Sequence, residues 1–259
     1  KKIVFSGVGK KTDELKFAIE KKILLINAES ESEIFEIERL AKSKKKIVNI
    51  GIRLNPNIDA KTLKKISTGK HEDKFGLTEK AFINILNNFK DSNFVKVKCL
   101  SVHIGSQITD YKPYSKMINV LDKIIKKSKH LFDYIDLGGG MGIQYEKRTK
   151  LFNYKKYNGI IKKFLKKHSV KIIFEPGRSI IANCAVLFAQ IIYIKNTEKK
   201  RFIILDAAMN DLMRPALYGS HHNIVPLIRS KKINKTIHDF VGPVCETTDK
   251  FLTVKGFQQ

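Results

Sequence analysis

The chain has 259 residues, and 50 basic against 25 acidic side chains give a formal charge of +25. Its 42% hydrophobic content suffices for one large domain, or one large and one small, and excludes disorder as the ground state. Of the basic residues 43 are Lys and seven are Arg, scattered along the whole length. Nucleic-acid binders concentrate charge and use Arg for bidentate contacts, so no nucleic-acid partner is expected. The three cysteines, Cys99, Cys184 and Cys245, are spaced neither for a disulfide framework nor for a metal site. A reducing, cytoplasmic compartment and no metal are therefore expected. The longest nearly apolar stretch, Cys184 to Ile194, is broken by Gln190 and too short to span a bilayer, so no membrane partner is expected. No secretory signal is visible. Residue 1 is Lys rather than Met and already opens a strand, so the chain reads as a fragment.

In chain order, β-branched runs at Ile3–Phe5, Ile23–Ile26, Ile47–Ile52, Val97–Val102, Tyr134–Leu137 and Lys171–Phe174 predict six strands. Helical periodicity fills the gaps. Asp13–Glu20 places Leu15, Ala18 and Ile19 on one face, and Ser30 with Glu33 suggests a capping box opening Glu31–Ala41. Thr78 can cap Glu79–Phe89, and Tyr114–Ser128 and Tyr154–His168 complete the helices. After Arg178 the pattern changes. Ala185–Lys195, Arg201–Leu205 and Thr236–Val241 read as strands without normal intervening helices, and Phe251–Gln259 stops without a closing element.

Strand alternating with helix implies a parallel sheet, either doubly wound and open or closed as a (β/α)8 barrel. Polar residues follow nearly every run, where barrel enzymes build their sites, which favours the barrel. The expected fold is therefore α/β: a partial TIM-type barrel with six of eight strand units over residues 1–184. Part of a β domain follows over 185–259. Two open sheet edges predict poor solubility.

Five clusters can carry chemistry. Asp136-Leu137-Gly138-Gly139-Gly140-Met141-Gly142 follows a strand, and consecutive glycines let backbone N–H groups converge on an anion; read alone it is equally a flexible turn. It is not a dinucleotide fingerprint. Glu175-Pro176-Gly177-Arg178 offers a fixed carboxylate and a guanidinium, suited to a cationic ring with a phosphate, or else a rim salt bridge. His103 sits where a strand meets its loop, and Ser106 beside Gly105 can donate to a phosphate; a lone His is otherwise a core residue. Arg214 and Tyr218 share one segment, and Cys245 adjoins Glu246, although a single Cys is commonly an inert packed residue.

Together with Phe5-Ser6-Gly7-Val8-Gly9-Lys10, Asn27-Ala28-Glu29-Ser30, Arg53-Leu54-Asn55-Pro56 and Lys74-Phe75-Gly76, these clusters resemble the fold-type III pyridoxal-phosphate decarboxylases over nearly the whole chain. Within that family the likeness is to the branch acting on meso-2,6-diaminopimelate, the last step of lysine biosynthesis. The resemblance implies pyridoxal 5'-phosphate as cofactor, with Glu175 paired to its ring nitrogen and His103 stacked on its face. Ser106, Gly139, Gly140 and the Pro176-Gly177-Arg178 turn would hold the phosphate end. It implies Cys245 as proton donor, Arg178, Arg214 and Tyr218 as carboxylate contacts, and Glu246 as the ammonium contact. It further implies a homodimer in which Cys245 and Glu246 enter the partner's site. A zwitterionic substrate end needs a cation and an anion close together, whereas ornithine or arginine would face guanidinium groups with a cationic tail.

The sequence departs from the family at one point. The family's cofactor-linked lysine lies on a strand upstream of the Phe5 motif, so this chain alone is expected to be inactive or nearly so. The alternatives are a related decarboxylase of arginine, ornithine or carboxynorspermidine, and a non-catalytic relative lacking that lysine.

Overall fold

The computed structural model describes residues 2–70, 72–146, 149–228 and 233–258. The chain divides into two compact units, Lys1–Ile143 with Lys150–Ala182, and Gln144–Thr149 with Asn183–Gln259.

In the first unit, six strands alternate with five helices: β1 (Val4–Phe5), α1 (Thr12–Glu20), β2 (Leu25–Ala28), α2 (Glu31–Ser43), β3 (Val48–Arg53), α3 (Glu79–Asn88), β4 (Val95–Ser101), α4 (Lys112–Ser128), β5 (Tyr134–Asp136), α5 (Tyr154–Leu165) and β6 (Lys171–Ile173). All neighbouring strands pair in parallel, in the order β1-β2-β3-β4-β5-β6. Parallel strands need covering on both faces, and β2 is buried at every position. Each helix turns one apolar stripe inward. In α2 it is Ile34, Ile37, Leu40 and Ala41; in α4 it includes Tyr114, Met117, Ile118, Leu121 and Ile124. The sheet curls into part of a barrel. Ser6, just beyond β1, donates a 2.6 Å hydrogen bond to Glu175, just beyond β6, although these strands stand at opposite ends of the strand order.

Local chemistry explains the helix starts. Ser30 Oγ accepts from Glu33 N–H, and Thr78 Oγ1 accepts from Ala81 N–H. The capping box expected at Ser30 closes differently. The Glu33 carboxylate accepts from Glu29 N–H at 2.8 Å, one residue earlier, and its other oxygen holds Lys10 at 2.6 Å. The lysine draws the carboxylate away from Ser30.

The second unit is a four-stranded mixed sheet in the order β10-β9-β8-β7: β7 (Ile191–Asn196), β8 (Lys200–Leu205), β9 (Ile233–Val241) and β10 (Lys250–Gln258). Only β8 and β9 run parallel. Ile203, Leu205, Ala207, Phe240 and Phe251 form its small core. Two short helices, α6 (Arg178–Ile181) in the first unit and α7 (Arg214–Tyr218) in the second, escape sequence periodicity because neither completes two turns.

Two expectations for this region need correction. The strand expected from Ala185 begins at Ile191, because its partner β8 ends at Leu205; there Asp206 Oδ1 accepts from Gln190 N–H at 2.7 Å and closes the ladder. The stretch from Phe251 does form an element. β10 pairs antiparallel with β9, and Phe251 is buried, while Gln259 lies outside the described residues. Interspersed Thr253, Lys255 and Gly256 hide its alternation.

Beside β1 and α1 an apolar groove of about 560 Å³ is lined by Ile3, Val4, Phe5, Phe17, Ala18 and Ile23. Phe17 is 61% exposed there. A carboxylate in its place should suppress self-association through this groove. Phe17→Glu is expected to raise the monodisperse fraction in size-exclusion chromatography without lowering the thermal midpoint. Unchanged aggregation would place the sticky surface elsewhere.

Candidate active site

The C-terminal ends of the six parallel strands converge on a cleft of about 240 Å³, lined by Ser6, Gly7, Asn27, Glu29, Arg53, Ser101, His103 and Glu175. This is the rim where parallel-sheet proteins place ligands. The ends of β1, β2, β3, β4 and β6 deliver polar groups there, and Asn27 with Glu29 and Ser101 with His103 lie two residues apart because alternate side chains share a face.

Beneath the cleft lies Asp136, the last residue of β5, with no exposed surface. Its Oδ2 accepts from Asn27 Nδ2 at 2.8 Å and from Ser101 Oγ at 3.2 Å. Its Oδ1 accepts from Gly138 N–H at 2.9 Å. Burial, reinforced by the charge of Glu175, pushes its carboxyl up to about 6. The Asn27 amide also donates to Ser6 Oγ at 3.1 Å, and that hydroxyl donates to Glu175 Oε1.

On the opposite wall Arg53 pairs with Glu29 at 2.8 Å, the carboxylate almost fully buried, and stacks 4.8 Å over the Phe75 ring. His103 lies beyond it. Burial, then the neighbouring Arg53 charge, lower the imidazole to about 4, so it is neutral at physiological pH. Its Nδ1 accepts from Gly139 N–H at 3.1 Å, which assigns the ring proton to Nε2.

The glycine turn is tightly packed. A Cβ at Gly139 would lie 2.1 Å from Glu175 O, and one at Gly140, whose φ is +93°, would lie 2.0 Å from Gly105 O. The turn's polar backbone atoms are taken in order. Gly138 N–H goes to Asp136, Gly138 C=O accepts from Glu175 N–H, Gly139 N–H goes to His103, Gly139 C=O accepts from Tyr114 Oη–H at 2.7 Å, and Gly140 C=O accepts from Ile108 N–H. Among the described residues the Gly140 N–H has no partner.

The first unit thus brings His103, Gly139, Gly140 and Glu175 together. Pro176 follows Glu175 directly, Gly177 caps α6, and Arg178 opens it with Nη1 3.1 Å from Gln107 Oε1. Ser106 is half-buried on the loop after β4, its N–H donating to Ile66 O. The other candidates belong to the second unit. Arg214 opens α7, donates to Ser220 Oγ at 3.1 Å and lies 5.1 Å over the Tyr145 ring, and Tyr218 closes the helix. Cys245 is exposed in the turn between β9 and β10, where Glu246 N–H donates to Val244 O. Sequence reasoning assigned no role to Asp136, Tyr114, Asn27, Arg53 or Glu29. Four of these stand inside motifs already singled out, at or next to strand ends, and an interior-facing register would have found them.

Residues 1–182 match the model of the family described as "Pyridoxal-dependent decarboxylase, pyridoxal binding domain". The chain is 40% identical over 254 residues to a diaminopimelate decarboxylase of Zymomonas mobilis, covering 96% of this chain and 60% of the relative. It is 41% identical over 257 residues to one of Helicobacter pylori, covering 97% and 62%. A crystal structure of the Helicobacter pylori diaminopimelate decarboxylase complexed with L-lysine is similar with a TM-score of 0.89 and 39% identity, over 99% of this chain and 64% of that one. The chain therefore spans about three fifths of the length of these relatives.

The raised Asp136 carboxyl has a consequence for stability. The folded state holds this proton more tightly than the unfolded chain, so the cost of burying the charged form is absent near pH 4 and grows as pH rises to 6. Wild type should lose on the order of 3 kcal/mol relative to Asp136→Asn across that window. Urea unfolding of both proteins from pH 4 to 7 measures the difference. Parallel stability profiles would show that Asp136 does not titrate there.

Proposed function

The chain belongs to the pyridoxal-dependent decarboxylases, and from that premise we propose that it binds pyridoxal 5'-phosphate and serves the decarboxylation of meso-2,6-diaminopimelate to L-lysine. The observation that carries this reading is Glu175, a carboxylate fixed by the Ser6 hydroxyl at the mouth of a parallel sheet, beside a neutral imidazole and a glycine turn with an open N–H. These residues fit the cofactor. Glu175 supplies a negative charge for a protonated ring nitrogen, His103 an uncharged flat surface, and Gly140 N–H a donor to the phosphate. When bound, the cofactor supplies a sink for the electron pair left as carbon dioxide departs.

The chain's own groups then hold, orient and protonate. Glu175 keeps its counter-charge in place because Ser6 occupies Oε1. His103 cannot compete as a second cation, since burial and Arg53 keep it neutral. We assign Ser106, Gly139, Gly140 and the Pro176-Gly177-Arg178 turn to the phosphate end. Arg178, Arg214 and Tyr218 would take the substrate's distal carboxylate and Glu246 its ammonium. The Arg214 Nε is buried without a partner among the described residues, which supports an acceptor arriving from outside the chain. Exposed Cys245 is the proposed proton donor, reaching the site of a partner subunit in a cytoplasmic homodimer. Residues 1–184 would be the cofactor-binding barrel domain and 185–259 part of a β domain.

The test is carbon dioxide release from meso-diaminopimelate, ornithine, arginine and carboxynorspermidine by the longest polypeptide the gene encodes, supplied with cofactor. Diaminopimelate should be strongly preferred. Arg214→Ala should lower kcat/KM for it about 10- to 100-fold, the loss of a hydrogen-bonded charge contact. Preference for ornithine would overturn the substrate assignment.

A further inference from the structure

The Gly138–Gly140 turn has its polar backbone groups engaged from beneath by two fully buried side chains that do not line the cleft. Asp136 Oδ1 receives Gly138 N–H at 2.9 Å, and Tyr114 Oη–H donates to Gly139 C=O at 2.7 Å. Tyr114 is itself wedged against Phe152 and Tyr157, with ring centroids 5.6 and 4.8 Å away, so its hydroxyl has little room to move. A Cβ at Gly140 would come within 3.1 Å of that hydroxyl, which places it directly under the turn.

We propose that Asp136 and Tyr114 are positioning residues that hold the glycine turn so that Gly140 N–H faces a phosphate. This rests on the cofactor reading above and deepens it. One backbone segment carries two tasks, and the division follows from the bonds already made. Gly139 N–H is committed to His103 Nδ1, and the open donor among the described residues is that of Gly140. Glu175, His103 and Ile108 hold the turn's other backbone groups, but the peptide that carries Gly140 N–H is held through its Gly139 carbonyl by Tyr114, and Gly140 at positive φ has no side chain to restrain it. The Tyr114 bond therefore aims the donor directly, and the Asp136 bond fixes the start of the turn. Rotation of that peptide would misplace the phosphate contact while leaving the ring-binding wall of Glu175 in place.

The experiment compares binding of pyridoxal 5'-phosphate and of pyridoxal, which lacks the phosphate, to wild type, Tyr114→Phe and Asp136→Asn. Absorbance titration supplies the dissociation constants. Tyr114→Phe keeps the ring packing and removes one hydroxyl, so it should fold. It is expected to weaken the phosphorylated ligand about three- to tenfold with pyridoxal altered less than about twofold, whereas Asp136→Asn, which also disturbs the Asn27–Ser6–Glu175 chain, should weaken the phosphorylated ligand about tenfold or more. Equal losses for both ligands in Tyr114→Phe, or none, would overturn the positioning role. A wild-type chain that binds neither ligand would overturn the cofactor reading itself and this proposal with it. Amide hydrogen exchange on wild type gives a check that does not depend on the variants folding. Gly138 should be protected in the free chain, and Gly140 should gain protection on adding pyridoxal 5'-phosphate. Fast exchange at Gly138 in the free chain would refute the support by Asp136.

Discussion

Asn27 reaches from the end of β2 to Asp136 at the end of β5, and this 2.8 Å bond across the curled sheet fixes the geometry of the rim. Buried polar groups are costly unless paired, so the two side chains define each other's positions. The same amide holds Ser6, which holds Glu175, and the same carboxylate holds Ser101 and the glycine turn. A constraint on the neighbouring strand follows. A Cβ at residue 51 would lie 2.0 Å from Asn27 Oδ1, so β3 carries Gly51 in its middle despite the weak strand propensity of glycine. The polar cross-link and the glycine are one feature seen from two strands.

Charge is arranged in the cleft with the same economy. Glu175 lines the cleft with one neutral imidazole and Asp136 lies buried beneath it, while the cation Arg53 is tied to Glu29 and to the face of Phe75. A buried ion pair of this kind contributes little net stability, yet breaking it would leave a lone charge beside His103. Its present effect is to add to burial in keeping the imidazole uncharged. Cys99 shows the same environment acting on a thiol. Burial first, and then the Asp136 charge, raise it, so a cysteine a few residues from the cleft is inert packing.

What was legible in the sequence follows from where information is local. The inner strands β2–β5 are largely buried and the edge strands β1 and β6 partly so, each is written as a short β-branched run, and all six were placed within three residues of their observed ends. His103 and Glu175 were found because they stand next to breaks in those runs. Asp136 stood in view, adjoining the glycine triplet, but its role depends on Asn27, 109 positions away in sequence, and no local pattern expresses that pairing. Tyr114 was assigned to a helix, correctly, and its hydroxyl contact with Gly139 is equally non-local. The second unit was less legible because a mixed, half-exposed sheet with a small core tolerates Lys, Thr and Gly within its strands, as β10 does.

The abundance of lysine bears on the chemistry at one place. Lys10 follows β1 at the rim, and its side chain is 1% exposed. Its Nζ donates to Gly7 O, Asn27 O and Glu33 Oε1, each at 2.6 Å. An ammonium donating three hydrogen bonds presents no lone pair and cannot act as a nucleophile. Freeing it would leave two carbonyls and the carboxylate that anchors the start of α2 without their donor, a cost of several hydrogen bonds in a buried setting. Lys10 is thus a strut between the first loop and α2. Lys74 lies instead over the Phe75 ring, 5.5 Å from its centroid, on the face system that Arg53 also uses. The cleft is built from carboxylates, one imidazole and backbone donors, and its geometry is set without a reactive amine from either of these two lysines.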